Sequence, residues 1–330
     1  VGDLVVPTDR GLYCSAGGFY IDPWKPVEKA IITHGHGDHL RAGSTSYLTA
    51  ERGIDVVRAR LPLGSSVQSL AYGESKEISG VQVTLFPAGH ILGSSQVRIV
   101  YRGETWVVSG DYKVEADRTC DQFEPVSCDV FITESTFGLP IFRWRKSEEI
   151  FAEINSWWAA NAAQGFNSVI FGYALGKAQR VLSGLADGPV VIHSGLRNFQ
   201  EIYTRQGVVL PGKSYEEVDS KSGLIVVCPP SIQGTSWLKK FEPYRTAFAS
   251  GWMTLRGSRR RRNVDAGFTL SDHTDWDSLL STIKATGASR VGVTHGYVQQ
   301  VVRYLQEQGL DAYVVPTHFE GGISEEEEVQ

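Results

Sequence analysis

The sequence predicts an α/β protein in which a strand-rich sandwich is interrupted by an inserted parallel sheet flanked by helices. Three observations predict it. Residues up to about 135 read as short strands separated by turns, with few helices. From about residue 140, apolar strands alternate with amphipathic helices, the pattern of parallel strands joined by helical crossovers. After the arginine-rich stretch at 256–262 two further strand–helix pairs follow, with no repeat or low-complexity linker before them. The middle block therefore reads as an insertion into the first domain.

The elements follow in order. Leu4–Val6, Leu12–Tyr20 and Ala30–Thr33 are strand-like, with a turn at Asp22-Pro23. Ser46–Thr49 reads as a short strand and Ala50–Leu61 as a short helix. The alternation from Gln82 to Phe86 predicts another strand. Gln96–Tyr101 and Thr105–Ser109 flank Arg102-Gly103-Glu104, which suits a hairpin. Asp129–Thr133 closes this part. Ser147 can cap a helix with Ile150, Ile154, Trp157 and Trp158 on one face. Ser168–Tyr173, Val190–His193 and Leu224–Cys228 are strands, and Ala178, Val181, Leu182 and Leu185 line a helix. Phe268–Leu270, a helix with Trp276, Leu279, Leu280 and Ile283, the strand Val291–Thr294 and a helix with Val298, Val301, Val302 and Leu305 complete the chain.

A length of 330 residues fits one large or two medium domains, at about 100–200 residues each. Cys14, Cys120, Cys128 and Cys228 are scattered without C-x-x-C spacing, as expected of buried thiols in a reducing compartment. The first residues show no basic region followed by an apolar run, and no segment approaches the ~20 apolar residues of a membrane span. A soluble cytoplasmic protein with no membrane partner is the expectation. The net charge of −5 argues at first against a nucleic-acid partner, but Glu325–Glu328 form an acidic tail. Local charge matters more for a polyanion. Arg256, Arg259, Arg260, Arg261 and Arg262 put five arginines in seven residues. That run suits phosphate contact, and its alternative is a solvated surface.

The chemistry concentrates at Ile31-Ile-Thr-His-Gly-His-Gly-Asp-His39. An apolar strand end runs into three histidines and an aspartate with only glycines between them, so a tight turn can aim four ligand-type side chains into one space. Imidazole and carboxylate together suit zinc, manganese or iron better than magnesium or calcium. The alternative is a chance cluster of surface histidines. His90, Asp111 and Glu134 also follow strands, on loops that can meet at one edge of a sandwich. Placed on that scaffold, His34, His36 and His90 surround one ion, and Asp38, His39 and His295 a second. Asp111 would bridge them. Two ions ~3.5–4 Å apart suit phosphodiester hydrolysis, and Asp38 is assigned to catalysis as well as to the second ion. His273, in Leu270-Ser-Asp-His-Thr-Asp-Trp276, is the candidate proton donor, with Glu134 orienting its ring. A helix-cap role for that segment is the alternative.

Taken together these residues resemble the metallo-β-lactamase superfamily, and within it the β-CASP nucleases. His34-Gly-His-Gly-Asp-His39 matches the H-x-H-x-D-H motif, and Asp22 falls where an early structural aspartate is expected. His90 in Ala-Gly-His-Ile-Leu-Gly-Ser and Asp111 in Ser-Gly-Asp-Tyr match two further motifs. Glu134-Ser-Thr, Ser271-Asp-His273 and Thr294-His-Gly296 resemble motifs A, B and C, and Tyr173-Ala-Leu-Gly-Lys-Ala-Gln179 resembles an element of the inserted domain. Within the group the chain is most similar to the bacterial ligase-associated DNA exonucleases.

The resemblance implies a metallo-β-lactamase αββα sandwich over residues 1–140 and 267–330, the acidic tail at 325–330 included. A β-CASP domain would be inserted at 141–266. It implies two zinc or manganese ions and hydrolysis of single-stranded DNA ends with 5′→3′ polarity, with His273 as general acid. A DNA ligase and helicase repair set would be the partners. An RNA-processing β-CASP ribonuclease is the alternative, because motif C is histidine here. A small-molecule metallo-hydrolase leaves the insertion and His273 without a task. A non-catalytic scaffold would have lost ligands that this chain keeps.

Overall fold

The computed structural model describes residues 2–317, so the acidic tail lies outside the described residues. The described chain divides into two compact units, one made of residues up to 141 and from 273 onward, the other of Phe142–Asp272.

The first unit opens with a six-stranded sheet in sequential order: β1 (Val5–Pro7), β2 (Leu12–Cys14), β3 (Phe19–Ile21), β4 (Lys29–Ile31), β5 (Ser46–Ala50) and β6 (Val67–Leu70). The first three strands are antiparallel and the last three join in parallel. The segment Leu12–Tyr20, read as one strand from the sequence, is two. Four residues, Ser15–Gly18, turn the chain between Cys14 and Phe19, with Gly18 at φ +65°, which breaks the extended run. Helix α1 (Ile54–Arg60) lies between β5 and β6.

A second sheet begins with β7 (Ser75–Ile78), β8 (Val81–Pro87), β9 (Ser95–Tyr101), β10 (Glu104–Val108) and β11 (Val130–Ser135). Two of its hairpins turn through Ser79-Gly80 and Arg102-Gly103, where all four residues have positive φ. That is the conformation whose twist matches the flanking antiparallel strands.

Phe142–Asp272 forms the second unit around a five-stranded parallel sheet. Its strands are β12 (Asn167–Phe171), β13 (Val190–Ile192), β14 (Ile225–Cys228), β15 (Tyr244–Ala249) and β16 (Ala266–Phe268), in the order β13-β14-β12-β15-β16. Its helices are α2 (Ser147–Ala163), α3 (Lys177–Ser183), α4 (Ser194–Arg205) and the short α5 (Ser258–Arg261). β12 and β14 are buried along their whole length, which is why β14, and β12 after Asn167-Ser168, read as apolar runs in the sequence. Ser147 begins α2 rather than capping it, and its hydroxyl accepts from Arg180 Nη2 (2.7 Å). The strand expected at Phe268–Leu270 lies at Ala266–Phe268 and pairs with β15, a strand that sequence periodicity did not reveal.

The chain then returns to the first unit through α6 (Trp276–Thr286), β17 (Arg290–Gly296), α7 (Val298–Glu307) and β18 (Asp311–Val314). The Asp275 carboxylate accepts from Ser278 N–H (2.9 Å) to start α6, and Gly287 at φ +68° ends it. β17 pairs in parallel with β11 and β18 with β17, completing the order β18-β17-β11-β10-β9-β8-β7.

The first unit is layered. Val5, Phe19, Ile21, Ile31 and Leu48 from the first sheet share one core with Val83, Leu85, Val97, Ile99, Trp106 and Ile132 from the second. The far face of the second sheet, at Val107, Phe131, Val291 and Val293, is covered by Leu279 and Ile283 of α6 and Val301 and Leu305 of α7. The far face of the first sheet, at Ala30 and Tyr47, is covered by Val57 of α1. This is an αββα sandwich, and the second unit is a parallel sheet flanked by helices, as the sequence predicts.

Candidate metal centre

β4 delivers the chain to the histidine turn. Asp22, at φ +43° just after β3, receives three donors there: Thr33 N–H (2.8 Å), Thr33 Oγ1–H (2.6 Å) and His39 Nδ1 (2.7 Å). A carboxylate only accepts, so His39 carries a proton on Nδ1, and Nε2 is the ring atom that would offer a lone pair to a cation displacing its proton. Asp22 thus sets the tautomer and ring orientation of a neighbour while holding the start of the turn. Nothing in the spacing of Asp22 announces this, and only the family resemblance pointed to it.

Ligand atoms of His34, His36, His90 and Asp111 lie within 4.8 Å of one another, as do those of Asp38, His39 and His295. His36 Nδ1 is 3.1 Å from His34 Nε2 and 3.0 Å from His90 Nε2, and the three rings stand mutually edge-on at 83–85°. Nitrogens at ~2.0–2.1 Å from a common tetrahedral centre would be about 3.3 Å apart. The set therefore has the size of a metal's coordination shell. Across from it, His39 Nε2 is 3.5 Å from Asp38 Oδ2, and the His39 and His295 rings stack at 5.1 Å and 17°. Asp111 Oδ2 stands between the clusters, 3.5 Å from His34 Nε2, 3.8 Å from His90 Nε2 and 3.4 Å from His39 Nε2.

Buried Asp111 Oδ1 and His39 Nε2 complete no hydrogen bond among the described residues. Orphaned buried polar atoms are costly unless something satisfies them, and a cation in place of the Nε2 proton would satisfy both, so the donor set fits metal ions. The protonation pattern agrees. Burial, reinforced by charge on His39, holds the His34 pKa well below its ordinary value. Burial opposes charge on His39 too, but Asp111, Asp38 and Asp22 together hold its pKa well above the usual range. Burial opposes charge on Asp111 as well, yet His39 and His273 keep it ionised well below the usual carboxylate range. One positive charge among the carboxylates is where a cation is favoured.

His295 reaches this site through a break in strand pairing. β11 and β17 pair Glu134 with Thr294 but Ser135 with Gly296, so His295 is an extra residue bulged out of the ladder at φ +52°. Ser135 Oγ donates to Thr294 O (3.2 Å) and makes a short bond to His295 O, and Tyr297 N donates to Ser135 O (3.0 Å). Gly296 must be glycine: at φ +79°, a Cβ would lie 2.3 Å from Ser135 O. The sequence singles out His295 and carries Ser135 and Gly296 only as members of its motifs, since their roles depend on register.

Next to Asp111, His273 Nδ1 is 3.0 and 3.1 Å from the two Glu134 carboxylate oxygens and 4.0 Å from Asp111 Oδ2. Glu134 Oε1 also accepts from Tyr112 N–H (2.8 Å), and Phe137 packs edge-on against the His273 ring. The pair is buried, with Nδ1 committed to Glu134. The arginine run lies in the second unit. Arg256, Arg259, Arg260 and Arg261 are exposed, whereas Arg262 is half-buried with its guanidinium 4.2 Å from the Phe248 ring centre.

No protein-family profile matches the chain. It is 29% identical over 315 residues to a protein named "Probable DNA ligase" from Opitutus terrae, covering 94% of this chain and 31% of that one. It is 28% identical over 169 residues to Endoribonuclease YSH1 of Gibberella zeae, covering 50% of this chain and 19% of that one. The chain thus spans a third or less of the length of these relatives. A crystal structure of a protein of unknown function from Enterococcus faecalis V583 superposes with a TM-score of 0.58 at 10% identity, over 88% of this chain and 80% of that one, which bears on the fold alone. The sequence matches and the buried His/Asp clusters, of the kind a dinuclear metallo-hydrolase uses, together place the chain in a relationship of metallo-β-lactamase/β-CASP type to the YSH1 endoribonucleases.

Proposed function

We propose that this protein is a metal-dependent nuclease that hydrolyses phosphodiester bonds of single-stranded DNA, acting as a 5′→3′ exonuclease in DNA repair. The observation that carries the reading is Asp111, placed between two histidine-rich donor sets and beside the Glu134–His273 pair. His34, His36, His90 and Asp111 would hold one ion; Asp38, His39, His295 and Asp111 would hold the other. Imidazole and carboxylate donors suit zinc or manganese. Two such ions, when bound, lower the pKa of water and offset charge developing on a phosphate.

The remaining steps belong to the chain's own residues. His273 hydrogen-bonds Glu134 through Nδ1–H, and its Nε2 exchanges a proton with the departing 3′-oxygen in this reading. Glu134 stabilises the charged ring while its other commitment, to Tyr112 N–H, keeps it in place. Asp38 orients the attacking water, and Asp22 holds the His39 ring. In this reading the unit 142–272 is the inserted β-CASP domain and binds the strand, with Arg256, Arg259 and Arg260 among its phosphate contacts. A ligase-containing repair set would supply the context, as the name of the Opitutus relative suggests.

The second reading is an RNA-processing ribonuclease, favoured by the endoribonuclease relatives and by the histidine at 295. Matched DNA and RNA single strands, labelled at either end and digested with manganese or zinc, decide between them. Stepwise loss from the 5′ end of DNA supports the first reading, and internal RNA cuts support the second. Intact strands of both kinds, in metal and in chelator alike, would overturn the nuclease assignment.

A further inference from the structure

We propose that the unit Phe142–Asp272 carries a binding track for single-stranded polynucleotide, assembled from the stretches 142–146 and 252–260. It rests on the nuclease reading and adds to the arginine run a base-stacking element that the run alone lacks. The two stretches meet at Phe142. Its ring is wholly buried, 6.0 Å from Trp144 and 5.6 Å from Trp252, the latter edge-on at 85°. Along 142–145 inward and outward residues alternate. Phe142 and Trp144 turn inward, with Trp144 only half-buried, while Arg143 and Lys146 are exposed. Arg145 is held by a two-pronged ion pair with Glu153 of α2 (2.5 and 2.9 Å), which ties the stretch to the helix. Beyond Trp252, Arg256, Arg259 and Arg260 are exposed. Arg261 instead donates to Ser258 Oγ (3.0 Å) and Arg262 stacks on Phe248. Neither 142–146 nor 252–262 contains an acidic residue.

Guanidinium and ammonium groups contact phosphates of any nucleic acid. A half-exposed indole among them selects for unpaired bases, whose faces are open to stack and which a duplex conceals. Arg143, Trp144 and Lys146 together with Arg256, Arg259 and Arg260 offer both. DNA and RNA single strands share this chemistry.

The test uses the full chain and phosphorothioate 16-mers of DNA and of RNA, each with a 2-aminopurine, with anisotropy measured across a salt series. Trp144→Ala is expected to weaken binding about tenfold or more with an unchanged salt slope, and to abolish 2-aminopurine quenching. Arg143→Ala/Lys146→Ala should flatten the slope by about 1.4 log units, ~0.7 for each phosphate contact on a single strand. Lys239→Ala/Lys240→Ala, with the same charge loss in the same unit, should change neither. Trp144→Phe preserves an aromatic ring for packing and is expected to bind with intermediate affinity, so a misfolded alanine variant leaves the question decidable. Wild-type affinity in the Trp144→Phe and Arg143→Ala/Lys146→Ala variants would overturn the track while leaving the nuclease reading intact. A wild-type chain that binds neither strand would overturn both.

Discussion

Ser135→Ala removes one oxygen and introduces no clash, yet it reaches the bulge that carries His295. The hydroxyl bonds the carbonyls of Thr294 and His295 across the point where β11 and β17 slip register. A hydrogen bond of this kind contributes about 0.5–1.5 kcal/mol net. A non-glycine residue in the left-handed region, as His295 is at φ +52°, costs about 1–2 kcal/mol that its surroundings must offset. Losing the hydroxyl should therefore lower the stability of the metal-free protein by about 1 kcal/mol and let the His295 ring leave its stack on His39. One of two bound ions should then weaken about tenfold, which corresponds to ~1.4 kcal/mol, and the other should be unaffected. Gly296→Ala should be more severe, because its Cβ would meet Ser135 O at 2.3 Å and Thr136 Cα at 2.5 Å, both backbone atoms. Chelator-competition titration of manganese or zinc, urea unfolding of the metal-free proteins and His295→Ala as reference provide the assay. If Ser135→Ala unfolds more easily but binds both ions as the wild type does, the hydroxyl only stabilises the sheet and the reasoning fails.

Three further outcomes are expected. Asp111→Ala should bind fewer than two ions per chain, because its carboxylate faces both donor sets; elemental analysis showing two ions in the variant would refute the shared role. His273→Ala should keep metal and strand affinity but lose ~10²–10⁴-fold in turnover. That deficit should shrink on a nitrophenyl phosphodiester whose leaving group needs no proton, and an equal loss on both substrates would remove the proton-donor role. Burial pushes the Cys128 thiol up to about 12, above the ~8.5 expected unfolded. A raised folded pKa contributes stability that is complete below about 8.5 and is lost as pH climbs toward 12. Cys128→Ala should therefore flatten the alkaline limb of a urea-stability profile, and parallel profiles for the two proteins would show that Cys128 does not set it.

Spacing and periodicity make legible the parts of this protein whose information is local. Six residues from His34 to His39 converge because a glycine-spaced turn has few ways to fold, so their role as a cluster was readable from spacing. The layered class was readable because strand and helix periodicities change near residue 140, and α6 was readable from the apolar face formed by Trp276, Leu279, Leu280 and Ile283. Tertiary structure decided what depends on partners distant in the chain. That Leu12–Tyr20 is two strands is decided by the pairing of its two ends across Ser15–Gly18, for which Gly17-Gly18 is the local signal. Tyr244–Ala249 is a strand because β12 and β16 flank it, not because it alternates. Arg262 belongs to Phe248 although its sequence neighbours face solvent. His295 was nameable from sequence. That it enters the site through a bulge held by Ser135, and therefore needs Gly296 behind it, is a property of the register between β11 and β17. Register is set by the summed burial of both strands and the helices behind them, a quantity that no window of the sequence contains.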